Sequence, residues 1–156
     1  MRHITLTALT LATVASSLVF ISCKKDKEDP KPKTKTELLT TKNWRLSAVT
    51  FVTGTTTTDT YALLNTCEKD YFVKFNTNKS LLFDEGPAKC NPTSPQSTTG
   101  TWDLTVNDTK LTVRASPTAS ARLYDVVEIS ESTIRVTQPA NFRGVTGTET
   151  RTWTAF

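Results

Sequence analysis

Apolar and polar positions alternate with a period of two in short runs through most of residues 44–156. That period belongs to strands with one buried face. It is clearest at residues 99–114, TGTWDLTVNDTKLTVR. Trp102, Leu104 and Val106 alternate with Thr101, Asp103 and Thr105. Asn107-Asp108 then offers two residues that tolerate positive φ, as a tight hairpin turn needs. Folding the chain about that pair sets Leu104 opposite Leu111 and Trp102 opposite Val113, with the polar residues gathered on the other face.

The remaining strands follow the same logic. The first is expected at 44–53, with Trp44, Leu46 and Ala48 on one face, and a threonine-rich continuation at 53–61 as a short irregular strand. Strands at 70–76 and 80–85 turn through Asn76-Thr77-Asn78-Lys79, their faces ambiguous because Phe72 opposes Tyr71, Val73 and Phe75. Strands at 122–129 and 133–138 turn at Glu131-Ser132. That turn sets Ile129 against Ile134, Val127 against Val136, and Glu128 opposite Arg135 as an outer charge pair. By parity with Val127 and Ile129, Asp125 is expected to face inward. A last strand is expected at 148–156. Threonine supplies 27 of the 121 residues from Thr36 onward, and β-branching favours strands over helix interiors. One short helix is expected before the first strand, capped by Thr36, with Glu37 in its first turn and Leu38-Leu39 on its apolar side.

Connection lengths give the architecture. Strands two-three, four-five and six-seven are joined by tight turns. One-two, three-four, five-six and seven-eight are joined by longer segments holding Gly54, Gly86, Pro87, Pro92, Pro95, Pro117, Pro139, Gly144 and Gly147. In an antiparallel meander successive connections alternate between the ends, so the tight turns share one end and the long loops form a mouth at the other. The expected fold is therefore all-β: an eight-stranded antiparallel up-and-down barrel with a short N-terminal helix, closed so that no edge is left free.

The start of the chain has a different character. Arg2 and His3 precede an uncharged, largely apolar run at residues 4–21, the layout of a signal peptide. Its ending, Val19-Phe20-Ile21-Ser22-Cys23, resembles a bacterial lipobox, which implies cleavage before Cys23 and acylation of that cysteine. Residues 23–35 hold six lysines against three acids, two prolines and no large apolar residue, so they read as a solvated tether. Residues 36–156 form the domain. The net charge of +4 belongs to Arg2 and the tether, because from Thr36 onward 12 basic residues balance 12 acidic ones. A neutral domain offers no stripe for nucleic acid; the tether lysines suit anionic headgroups. Cys67 and Cys90 remain as an even pair in an exported chain, where a disulfide persists; two free thiols are the alternative.

In this order of features the chain resembles the lipocalin-like domains of bacterial lipoproteins. The resemblance rests on the helix before strand one, Trp44-Arg45-Leu46, the two loop cysteines, Gly100-Thr101-Trp102-Asp103-Leu104, and the ending Trp153-Thr154-Ala155-Phe156. It implies a cup for a small, usually apolar molecule, and a structural stacking of Arg151 over Trp44, against which stands an exposed Arg151.

The chemistry for catalysis is sparse. The one histidine is His3, in the leader. Histidine-based triads, bases and zinc sites are therefore not expected in the domain. The carboxylate pairs Glu68/Asp70 and Asp84/Glu85 read as solvated rim residues. The expectation is a non-catalytic, monomeric outer-membrane lipoprotein of a Gram-negative-type envelope, without metal or cofactor, binding a small hydrophobic ligand through its mouth. Trp102, Val113, Asp125 and Tyr71 are the candidate contacts. The alternative is a protein- or glycan-interaction module whose barrel or sandwich is packed solid.

Overall fold

The structure is a computed structural model and describes residues 31–156. The expected signal peptide, Cys23 and most of the tether lie outside the described residues. All the strands, the N-terminal helix and the core fall within Pro32–Phe156, one compact unit.

Helix α1 (Lys35–Thr40) starts two residues earlier than the sequence suggested. Thr34 is the cap, not Thr36, because Glu37 then falls at the third helical position. The Thr34 backbone N–H donates to the Glu37 carboxylate at 2.6 Å, and the Glu37 N–H donates to the Thr34 hydroxyl at 3.2 Å. This reciprocal box satisfies two otherwise orphaned groups. Leu39 points from α1 into the barrel with no exposure, and the Trp44 indole N–H donates to its carbonyl at 2.8 Å.

The strands are β1 (Asn43–Thr53), β2 (Thr56–Asp59), β3 (Phe72–Phe75), β4 (Ser80–Asp84), β5 (Ser97–Thr105), β6 (Lys110–Arg114), β7 (Arg122–Ile129), β8 (Thr133–Phe142) and β9 (Val145–Ala155). All pairings are antiparallel. β1 pairs with β3 at its start and with β9 along its length, closing an eight-stranded barrel. β2 is the short irregular strand, a ninth that folds back on the end of β1 around Gly54. A 3-10 turn (Tyr61–Leu63) and helix α2 (Thr66–Asp70) fill the way to β3.

The 99–114 hairpin has the expected register, with Trp102 opposite Val113 and Leu104 opposite Leu111. Glycine is required at position 100, since a Cβ there would overlap the Arg114 carbonyl oxygen. The turn is wider than Asn107-Asp108 alone. Val106 also lies in it, at φ +52°, and is exposed rather than on the apolar face.

Three further expectations change, each for a local reason. In β1 a bulge between Leu46 and Ala48 shifts the inward face from Trp44 and Leu46 to Val49 and Phe51. In β7 a bulge between Val126 and Glu128 does the same. Tyr124 is therefore buried and Val126 pairs with Val136, while Val127 is 56% exposed. Ile129 still meets Ile134, and Glu128 still meets Arg135. Finally, the expected long loop before the last strand is a hairpin. β8 and β9 run on, paired, to Phe142 and Val145 around Arg143-Gly144, whose positive φ values of 54° and 84° make a tight turn. Pro139 looked like a breaker, but β7 stops pairing at Thr137 and leaves that edge of β8 free of donors to satisfy. Gly147 is where the Phe51 ring presses on the ribbon, 2.6 Å from where a Cβ would be.

The tight turns β3–β4, β5–β6 and β7–β8 lie at one end together with α1, and the long β2–β3, β4–β5 and β6–β7 connections lie at the other. The core sits at the closed end: Leu39, Trp44, Phe75, Leu81, Trp102, Leu111, Ile129 and Ile134 pack there around the plugging helix.

Candidate ligand cavity

Above that core the barrel is hollow. A cavity of about 640 Å³ opens toward the long loops. Phe75, Leu81, Leu111 and Ile134 form its floor; Phe83, Val113, Tyr124 and Trp153 form its wall. These side chains alternate along their strands with solvent-facing residues, so the pleat that builds the core below also builds the lining above. Pro95 and Gln96 of the β4–β5 loop and Ala119 and Ser120 of the β6–β7 loop complete the rim. Cys67 in α2 and Cys90 in the β4–β5 loop are joined by a disulfide, which braces two of the mouth loops.

The charged groups of the lining fall on two opposed walls. Following the ring of strands, β4 lies across the barrel from β8, with β7 and β9 to either side of β8. On the β4 side stand Glu68, Tyr71, Asp84 and Glu85; on the opposite side stand Arg122 of β7 and Arg151 of β9. Arg151 is held by Glu149, Nε to Oε1 at 2.6 Å, and the Gln138 amide donates to the same carboxylate at 2.8 Å. Burial works against both charges, but the pair prevails. The hydrogen bond and charge of Arg151 leave the Glu149 carboxyl below its ordinary value, and Glu149 leaves the Arg151 guanidinium above its own. Across the cavity, burial and then the negative charges of Glu85 and Glu68 push the Tyr71 phenol up from its ordinary value.

Of the residues singled out in the sequence, Tyr71 and Val113 line the cavity. Trp102 does not. It is buried in the core below, its indole N–H on the Asn76 carbonyl at 3.0 Å and its ring edge-on to Phe75. Asp125 lies outside the barrel, paired with Lys110, because the β7 bulge reverses the parity that pointed it inward. Arg151 is neither exposed nor stacked on Trp44. Trp44 pairs with Ala155 and Arg151 with Val49, so they sit at different heights of the barrel. Glu68, Asp84 and Glu85, read as solvated rim residues, contribute to the cavity wall, whereas Asp70 instead accepts from the Ala88 N–H at 3.0 Å. Arg122 was missed. Its signal was its place opposite Val113, available only once the register of β6 and β7 is known.

An up-and-down barrel of eight strands, plugged by a helix at one end and holding an apolar cavity at the other, defines a cup-shaped binding fold. The chain belongs to the lipocalin-like domain family, whose sequence pattern matches residues 40–136, from the end of α1 to the middle of β8. No curated protein matches the chain.

Proposed function

We propose that this protein is an exported lipoprotein whose barrel binds a small apolar ligand through its mouth without catalysing a reaction. The observation that carries the reading is the cavity. Its 640 Å³ falls within the roughly 300–1,000 Å³ of small-molecule pockets, and its floor and wall are apolar and aromatic. A barrel packed solid, as the interaction-module reading needs, would lack that space. The scarcity of acid–base groups supports the non-catalytic part: the cysteines of the barrel are paired, and the one histidine of the chain is His3.

Acylation at Cys23 would anchor the chain in the outer membrane of a Gram-negative-type envelope, with the lysines of the tether near anionic headgroups. α1 lies at the closed end, so the tether would join the barrel at the end away from the mouth. Two measurements test the reading. Lipid extraction and mass spectrometry of residues 32–156, with displacement of a fluorescent apolar dye, should reveal a bound or displaceable molecule; a barrel that retains and exchanges nothing refutes ligand binding. Cys23→Ser should move the full chain from the membrane to the soluble fraction; unchanged membrane retention refutes the anchor.

A further inference from the structure

The two charged walls of the cavity are not equivalent. On the basic side Arg151 is already neutralised by Glu149, and the same carboxylate feels the charge of Arg122. On the acidic side two of the three carboxylates are engaged by the protein. Glu68 accepts from the Asn65 backbone N–H at 2.7 Å and from the Asn65 side-chain amide at 2.9 Å, closing the cap of α2. Asp84 accepts from the Gly86 N–H at 2.9 Å and the Gln96 amide at 2.8 Å. Glu85 is different. Its backbone is fixed by an N–H bond to the Gln96 carbonyl at 3.0 Å, yet its Oε2 is buried with no hydrogen-bond partner among the described residues. A buried carboxylate oxygen without a donor is costly. Here it borders an apolar cavity large enough to bring one.

From this geometry we infer that the cavity takes a cationic amphiphile, an apolar chain bearing a primary ammonium group, with the ammonium hydrogen-bonded to Glu85 and the chain running down toward Phe75 and Leu111. This rests on the proposed ligand-binding reading and narrows its ligand class. An ammonium supplies donors of the right charge, and a charge-assisted bond in a partly desolvated site is stronger than a neutral one. The surroundings favour the cation over an anion. Glu68, Asp84, Glu85 and Glu149 stand in or beside the lining against Arg122 and Arg151, so negative charge is in excess. On that wall burial first, and then the charges of Glu85 and Glu68, push the Tyr71 phenol up. An anionic headgroup turned toward Arg151 would have to compete with Glu149 for it.

The test uses three probes of equal chain length with residues 32–156: dodecylamine, dodecanol and dodecanoate, followed by the change in tryptophan fluorescence, to which the cavity-lining Trp153 contributes, at concentrations below micelle formation. Dodecylamine is expected to bind about tenfold tighter than dodecanol, the worth of one charge-assisted contact, and tighter still than dodecanoate. Glu85→Gln should erase the advantage of the amine over the alcohol. Glu85→Asp should retain part of it, and Arg122→Gln should leave it intact or increase it. Thermal melts show which variants fold, and Glu85→Asp together with the salt dependence of the wild-type preference decides the matter if Glu85→Gln does not. Equal binding of all three probes, or an amine preference that survives Glu85→Gln, overturns the cationic ligand while leaving the cavity reading in place. Tightest binding by dodecanoate does the same. Failure of every probe to bind overturns both.

Discussion

The closed end and the mouth of this barrel are built from the same eight strands and the same alternation, yet they end in opposite states. At the closed end three short turns and α1 bring Trp44, Leu39, Leu81 and Ile134 together with essentially no exposure. The inward residues there are large, and the helix supplies the one piece the turns cannot, a lid with its own apolar residue. At the mouth three long connections stand where the closed end has turns, α2 contributes Glu68 to the wall, and inward positions carry Tyr71, Glu85, Arg122 and Arg151 beside aliphatic residues. The difference shows that the pleat decides only which residues face inward. What covers the end of the barrel decides whether those residues become a core or a cavity lining.

The sharpest way to break this comparison is to truncate one inward side chain to alanine at each end. Trp44→Ala removes a fully buried indole and its bond to the Leu39 carbonyl, and should cost about 3–5 kcal/mol in urea unfolding. Val113→Ala, on the cavity wall, should cost about 1 kcal/mol or less, because the side chain already borders open space. Similar costs at the two sites would mean that the mouth is as tightly packed as the base.

The mouth has its own source of stability. The Cys67–Cys90 bridge spans 23 residues of sequence, and in the chain-entropy account such a loop is worth about 3 kcal/mol, gained by restricting the unfolded chain. Cys67→Ser with Cys90→Ser should lower stability by about that amount. The added local opening should appear in hydrogen exchange of residues 59–72 and 85–96 and leave the exchange of β1 near Trp44 governed by global unfolding. Loss of protection spread evenly over both ends before global unfolding would refute a bracing role confined to the rim.

How much of this contrast the sequence could reveal depends on whether the determining signal was local. The 99–114 hairpin was legible because alternation and turn chemistry agree on one register. The short helix was legible, but its start was misplaced: the Thr34–Glu37 spacing that caps it crosses what composition marks as tether. Asp125 and Ala48 were misassigned because one extra residue in β7 and one in β1 invert every side chain beyond them, and a bulge leaves no mark in a polar–apolar pattern. The β8–β9 ribbon was read as a loop because Pro139 and two glycines are breakers in a paired strand but not on a free edge. The charged walls lay deeper still, since Glu85 and Arg122 meet one cavity only after the ring closes.

Acidity offers a smaller test at the mouth. Glu149 has a folded-state carboxyl below its ordinary value of 4.5, held there against burial by Arg151 and Gln138. The unfolded chain therefore binds the proton more readily. The pair stabilises the fold above the ordinary carboxylate range, and its contribution is lost as pH falls through the lower folded value. Glu149→Gln should cost about 1 kcal/mol at neutral pH, discounted for the partial exposure of the pair, and should flatten the acid limb of stability against pH. Urea midpoints from neutral pH down to the acid transition measure both. An unchanged acid limb would assign the pH dependence to other carboxylates, such as Glu131 at the closed end, which Lys33 holds low.

The smallest effect is expected at the tip of the β5–β6 turn, where the closed end is locally strained rather than well packed. Val106, Asn107 and Asp108 all have φ between 52° and 60°. Asn and Asp tolerate that region, but a β-branched valine does not, and the left-handed conformation costs an ordinary L residue about 1–2 kcal/mol. Packing does not repay the strain, since Val106 is 66% exposed. Its backbone matters more than its side chain: the carbonyl accepts from the Thr109 N–H at 3.1 Å and from the Thr109 hydroxyl at 2.7 Å. Val106→Asn keeps both bonds and should raise stability by about 0.5–1 kcal/mol, read as a higher urea midpoint with an unchanged slope. Val106→Gly should gain less, because the freer unfolded chain offsets part of the relief. If both substitutions destabilise, the Val106 side chain contributes to the closed end despite its exposure, and the division between a packed base and an open mouth would have to extend to the turns themselves.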